Sequence, residues 1–255
     1  MNISKLLFYK YLITSLFILF LYNMIHNINV LIMCGGKCGS STLYSSLKNS
    51  DFKCLKIHSK DDYILQFKSD SLYDTINLSS KNKKIFIIDS YRTPIERKIS
   101  SFFQNIHIHV PNYKTLTIQK LIHIFNLKFL NKIEEYHSIN SVLTHYNIPL
   151  FKKFDFKNKY IICEKNNKVF IKILYKDIHD WNNILSKILN KKIKIVNDNL
   201  SKNKDYSDIY NRFKKKYIVP KSYLQYLKKN DNEFKIYNTK EEQVAYIQKW
   251  LQRSY

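Results

Sequence analysis

Glycine is almost missing from this chain of 255 residues: there are three, Gly35, Gly36 and Gly39, all inside one five-residue window. Four prolines and two tryptophans are similarly sparse, and no fixed period recurs along the chain, which excludes collagen-like, coiled-coil and repeat architectures. The four cysteines, at positions 34, 38, 54 and 163, are too few for a disulfide scaffold and contain no CxxC pair, so a structural zinc site is not expected. Acidic residues are also scarce, at 20 against 43 basic ones. Only four of those 43 are arginine. A clean apolar run of the ~20 residues that span a bilayer is missing too, because the stretch from Leu6 to Ile25 is interrupted by Lys10.

What is present is enough apolar material for a core. Hydrophobic residues make up 45 % and aromatics 15 %, which excludes general disorder, and the length suits a single α/β domain. The net charge of +23 suggests a polyanionic partner, but composition offers a plainer account. Lys, Ile, Asn and Tyr together supply 120 of the 255 residues, and all four have AT-rich codons. An AT-rich genome would inflate lysine everywhere without selecting a binding surface. The lysines are in fact spread along the chain, with Lys214, Lys215 and Lys216 the one short run. No specific nucleic-acid partner is expected.

Two regions are distinguished. Residues 1–28 form an N-terminal hydrophobic segment, and 29–255 form the domain. The segment from Leu6 to Ile25 reads either as a signal anchor or interfacial helix, with Lys5 and Lys10 holding the N-terminus cytoplasmic, or as a helix packed on the domain. It would give the protein a single-pass or lumenal setting in the first case and leave it cytoplasmic in the second. Asn29 to Met33 predicts a short buried strand, followed by the glycine loop and a helix from Ser41 to Lys48. Strands are expected at Phe52–Ile57 and, most clearly, at Lys84–Asp89. Pro94 is placed to open a helix running through Phe103. Helical signal continues from Ile118 to Tyr146. Tyr160–Glu164 and Val169–Leu174 flank an Asn-Asn turn and predict a hairpin. Trp181–Leu189 is helical, and the tail from Tyr206 reads as helices broken at Pro220. Strands alternating with helices predict an α/β fold with a mainly parallel sheet.

Two motifs carry chemistry. The first is a strand, the loop Gly35-Gly36-Lys37-Cys38-Gly39-Ser40-Ser41-Thr42, and a helix. Such a loop can turn backbone amides towards one point at a positive helix N-terminus, which suits a phosphate. Lys37 adds a charge, and Ser40, Ser41 and Thr42 add hydroxyl donors. The lysine precedes the last glycine, so this is not the Walker A order. The second motif, Arg92-Thr-Pro-Ile-Glu-Arg97 with Ser100 eight residues after Arg92, follows the clearest strand. Two of the four arginines fall within six residues there. Arginine matches phosphate oxygens with a fork of donors that lysine lacks. Two anion cradles at strand ends point to one ligand with two phosphate groups.

Lys37-Cys-Gly-Ser-Ser-Thr resembles the 5′-phosphosulfate loop of sulfotransferases that use 3′-phosphoadenosine 5′-phosphosulfate (PAPS). Arg92 and Ser100, at their spacing, are similar to that family's 3′-phosphate site. The run from Asp89 through Asn105 looks closest to a bacterial group linked to capsular-polysaccharide synthesis. The resemblance spans residues 29 to 226 and is strong at the two motifs. It implies a P-loop-like three-layer sandwich and transfer of a sulfuryl group from PAPS to a hydroxyl or amine of a carbohydrate, without a metal. Gly35, Gly36, Lys37, Cys38, Gly39, Ser40, Ser41, Thr42, Arg92 and Ser100 would bind the co-substrate. Lys37 would also neutralise the departing phosphate oxygen. The acceptor base falls on His58, at the end of the second strand, with Asp61 and Asp62 weaker candidates. A late phosphate contact is placed at Lys204. The family's acidic residue after the late strand appears here only as Tyr175-Lys176-Asp177, a departure from the pattern.

Two rival classes remain open on sequence. A nucleotide-dependent kinase or other P-loop NTPase would need a magnesium-binding carboxylate, for which Asp89 is the strand-end candidate. A catalytically inactive basic protein of the same fold would bind polyanions or membrane without chemistry. Cys34 and Cys38 flank the loop and read as buried, inert thiols. His107 and His109 lack further ligands for a metal.

Overall fold

The computed structural model describes residues 27–67, 71–130, 139–196 and 204–252. The hydrophobic segment at residues 6–25 lies outside them, as do residues 131–138 of the expected helical stretch. Among the described residues no helix is long and apolar enough to cross a membrane.

Strands alternate with helices around one five-stranded sheet. The first half comprises β1 (Val30–Met33), α1 (Ser40–Lys48), β2 (Cys54–Ile57), α2 (Lys60–Phe67), α3 (Leu72–Ser80), β3 (Ile85–Tyr91) and α4 (Pro94–Gln104). It continues through α5 (Ile106–His109), α6 (Ile118–Phe125) and α7 (Asn140–His145). The second half holds β4 (Tyr160–Lys165), β5 (Lys168–Leu174), α8 (Trp181–Leu189), α9 (Ser207–Lys216), α10 (Lys221–Asn230), α11 (Asn232–Ile236) and α12 (Lys240–Leu251). The strand order is β2-β1-β3-β5-β4. All neighbours are parallel except the β4–β5 pair.

The apolar runs of β1 and β3 are explained by burial on both faces. Leu31, Met33, Ile85 and Ile87 point into a cluster with Tyr63, Leu72, Ile76, Val142 and Leu143 from α2, α3 and α7. Val30, Ile32, Ile88, Ile171 and Ile173 point the other way, against Leu43 and Leu47 of α1 and Trp181 and Leu185 of α8. Beyond the sheet, α4, α6, α9, α10 and α12 share an aromatic-rich cluster built around Phe102, Phe103, Phe125, Phe213 and Trp250.

Local chemistry sets the boundaries. Asn166 and Asn167 have φ of 48° and 61°, the left-handed pair that a tight hairpin turn between β4 and β5 demands. Pro94 opens α4, where its missing N–H costs nothing. Thr239 and Glu242 form a reciprocal capping box at the start of α12. That helix then reaches back to α4: the Tyr246 hydroxyl accepts the Ile95 amide at 3.1 Å and donates to Glu96 at 2.7 Å. One difference from the sequence reading is informative. The strand expected to stop at Asp89 runs on through Ser90 to Tyr91, because β5 pairs with it over that whole length.

That extension buries Asp89 completely. Its Oδ2 accepts from Lys172 Nζ at 2.7 Å and from the Ile139 amide at 3.0 Å, with both charged side chains shut off from solvent. Glu233 stands 3.9 Å from the same ammonium, and the Tyr237 ring lies 4.8 Å away. Burial alone would lower the Lys172 ammonium, but the carboxylates of Asp89 and Glu233 hold it above the ordinary lysine value. A charge so placed is tolerable only while its partner remains.

Candidate functional site

The carboxyl ends of β1, β2, β3 and β5 form one edge of the sheet, the side on which α/β proteins place ligands. Each of these strands delivers one element there. β1 leads into the glycine loop, β2 into His58, β3 into Arg92 and β5 into Tyr175.

The loop is wound tightly. Lys37 is left-handed at φ 67°, unusual for a side-chain-bearing residue, and Gly39 follows at φ 89°. Gly39 caps α1 without a side-chain hydrogen bond, and the first turn of that helix holds no acidic residue. Its first intrahelical bond is Leu43 N–H to the Gly39 carbonyl at 3.0 Å, so the amides of Ser40, Ser41 and Thr42 have no partner within the helix, an arrangement that suits an anion. Ser40 and Thr42 are buried and Ser41 is half-buried. The ammonium of Lys56 donates to Ser41 Oγ at 3.4 Å, which adds a cation at the same helix start.

Arg92 joins the two sequence motifs. Its Nη1 donates to the Lys37 carbonyl at 3.0 Å across 55 residues of chain, and its guanidinium carbon lies 4.6 Å from the centre of the Tyr175 ring. Burial lowers the Lys37 ammonium from its ordinary value, and the positive charges of Arg92 and then Lys204 lower it further. Three cations therefore crowd one another, and among the described residues no carboxylate bridges Lys37 or Arg92. A bound anion would relieve such a concentration of like charge.

His58 sits at the side of this edge. Its Nδ1 is 2.9 Å from the Cys34 carbonyl, and its backbone amide donates to Asp62 Oδ2 at 2.8 Å. A carbonyl can only accept, so Nδ1 carries the proton and Nε2 presents a lone pair in the neutral ring. Asp62 is thereby engaged with the backbone, and its own amide donates to Ser59 Oγ. Cys34 and Cys38 are buried and neither is in a disulfide; burial, with Asp89 and Cys38 adding to it, pushes the Cys34 thiol well above its usual value.

The structure thus brings together Lys37, Arg92, Lys204 and the loop amides, with His58 anchored on the residue that begins the loop. Ser100 lies half-buried in the second turn of α4, the helix that follows Arg92, on the stripe that also carries Thr93 and Arg97. Asp177 is half-buried in the turn after β5, where burial raises its carboxyl. His107 and His109 occupy α5, and among the described residues no group of three or more His, Cys, Asp or Glu side chains is placed to hold a metal. Two participants escaped the sequence reading, Tyr175 and Lys56. Tyr175 stands at a strand end, a signal that becomes usable only once β5 is known to neighbour β3. No protein-family model, no curated protein and no solved structure matches this chain.

Proposed function

We propose that the chain is a PAPS-dependent sulfotransferase of P-loop-like architecture, acting on a hydroxyl or amine of a carbohydrate acceptor. The observation that carries this reading is the convergence of Arg92 on the glycine loop through the Lys37 carbonyl. It supports a reading of two motifs that are far apart in sequence as parts of one polyanion site. The donor set suits a nucleotide with two separate phosphate groups: uncapped helix amides and hydroxyls at one point, a guanidinium fork at another, and lysine charge between.

In this reading the amides of Ser40, Ser41 and Thr42 hold the 5′-phosphate, and Arg92 holds the 3′-phosphate. PAPS supplies the activated sulfuryl group. The Lys37 ammonium stabilises negative charge as the phosphate oxygen departs. His58 Nε2 accepts the acceptor's proton as the new oxygen–sulfur or nitrogen–sulfur bond forms, and the imidazolium is stabilised by the Cys34 carbonyl at Nδ1–H. The kinase reading is disfavoured by Asp89, which is occupied by Lys172 and the Ile139 amide rather than presented to a metal.

Calorimetric titration of the full chain with 3′,5′-ADP and with 5′-AMP, without magnesium, tests the reading. Tighter binding of the bisphosphate, lost in Arg92→Ala, is the expected result. Equal affinity for the two, or no binding, overturns it. A chain that binds 3′,5′-ADP should then transfer sulfate from PAPS in a manner abolished by His58→Ala, with affinity for 3′,5′-ADP retained.

A further inference from the structure

Arginine side chains are long and flexible, and one that must grip an anion loses that freedom on binding unless something holds it beforehand. Arg92 is held. The guanidinium lies against the Tyr175 ring at 4.6 Å, and one of its five N–H groups is spent on the Lys37 carbonyl. Neither contact neutralises its charge.

Tyr175 is itself braced. It follows Leu174, the last residue of β5, whose carbonyl accepts from the Trp181 indole N–H at 2.9 Å. The Trp181 ring meets the Tyr175 ring edge-on at 6.2 Å and is completely buried. The same two rings close on the glycine loop. A Cβ built on Gly39 would lie 2.7 Å from Trp181 Cη2 and 3.1 Å from Tyr175 Cδ2. Gly39, Trp181, Tyr175 and Arg92 therefore form one packed series that runs from the loop to the guanidinium.

We propose that Tyr175, braced by Trp181, is a positioning residue that pre-orients Arg92, so that its remaining donors face the second phosphate group of the anionic ligand that the glycine loop holds by its first. The inference rests on the reading that the loop and Arg92 serve one anion. It adds a cause for the choice of aromatic residues at 175 and 181 and a second reason for glycine at 39. The ring face, not the hydroxyl, does this, because a cation attracts the quadrupole of any aromatic face. Tyr175→Phe should therefore preserve the effect and Tyr175→Leu should abolish it.

The test is a binding cycle on the full chain, with wild type, Y175F, Y175L, R92M and the Y175L/R92M double variant. The probes are 3′,5′-ADP, 5′-AMP and inorganic pyrophosphate without magnesium. Near-ultraviolet circular dichroism checks the fold, and Tyr175→Met takes the place of Y175L if the latter does not fold. Y175F should bind within about twofold of wild type and Y175L about tenfold more weakly, with the Y175L loss vanishing on the R92M background. Y175L affinity close to that of wild type overturns the proposal, and so does a loss of equal size on both backgrounds. If wild type binds pyrophosphate but shows no preference for 3′,5′-ADP over 5′-AMP, the bisphosphate-nucleotide reading falls. The same cycle on pyrophosphate then decides the role of Tyr175. If wild type binds none of the three, both fall.

Discussion

Replacing Gly39 and Gly36 separately by alanine distinguishes a glycine needed by the fold from one needed by a ligand. At Gly39 two penalties combine. The backbone is left-handed at φ 89°, where a side chain costs about 1–2 kcal/mol. The added methyl also meets the Trp181 rim at 2.7 Å and Tyr175 at 3.1 Å, a collision with rings that are braced rather than flexible. Overpacking of this kind costs about 1–3 kcal/mol, so Gly39→Ala should lose about 2–5 kcal/mol in all. Gly36 differs in both respects: its φ is not positive, and nothing lies within 4 Å of the point where a methyl would stand. Gly36→Ala should leave stability unchanged or raise it by about 0.4–1 kcal/mol through the unfolded chain. Urea unfolding followed by tryptophan fluorescence reads both. If Gly39→Ala unfolds within about 1 kcal/mol of wild type, the packed series from Gly39 through Trp181 to Tyr175 is wrong. Since Gly36 is exposed, a loss of 3′,5′-ADP affinity in Gly36→Ala at undiminished stability would show the ligand resting against it.

Other perturbations follow from the charges. Lys172→Met strands Asp89 in the interior and should cost about 3–5 kcal/mol at neutral pH, with a smaller deficit in acid, where the carboxyl can protonate; equal deficits at both pH values by urea unfolding would contradict the buried pair. Lys37 is held below the usual lysine range, so its charge opposes folding and its contribution to stability grows as pH rises through the interval between its folded and unfolded values. Lys37→Met should accordingly raise the urea midpoint of the ligand-free protein while weakening anion binding. Wild-type binding should take up protons over the pH interval in which the ligand-free Lys37 ammonium titrates, seen as heats that vary with buffer ionisation enthalpy. Burial alone would raise the Glu96 carboxyl, but hydrogen bonds from Tyr246 and Lys249 bring it below its ordinary value. The stability it confers is present above the unfolded glutamate value and is lost as pH falls through the folded one. Glu96→Gln should cost about 1 kcal/mol at neutral pH and flatten the acid limb of thermal unfolding.

Much of the framework was legible because local chemistry suffices to mark it. Pro94, the Asn166-Asn167 turn and the apolar run from Ile85 to Ile88 each fix an element without reference to the rest of the chain. The glycine loop stood out for the same reason, against a background nearly free of glycine. What could not be read depends on strand order. Asp89 looked like the polar end of a strand, and only the register with Lys172, 83 residues later, makes it a buried partner. Tyr175 became part of the site by the same neighbour relation. The helices α2 and α3, Lys60–Phe67 and Leu72–Ser80, mix polar and apolar residues without a clear helical stripe, so the sequence alone does not mark them.

The order of the sheet also has a kinetic consequence. The β4–β5 hairpin joins strands separated by two residues and can form within microseconds, as local pairings do. The β1–β3 and β3–β5 pairings close long loops and are correspondingly slow. Arg92 reaches the Lys37 carbonyl only after β1 and β3 have paired, and its aromatic support arrives only with β5. The proposed anion site should therefore be among the last features to assemble on the folding route. Partly folded chains should have no affinity for a bisphosphate, so the ligand should slow unfolding without accelerating the early steps of folding, and saturating ligand should protect the chain during refolding only after the sheet has closed.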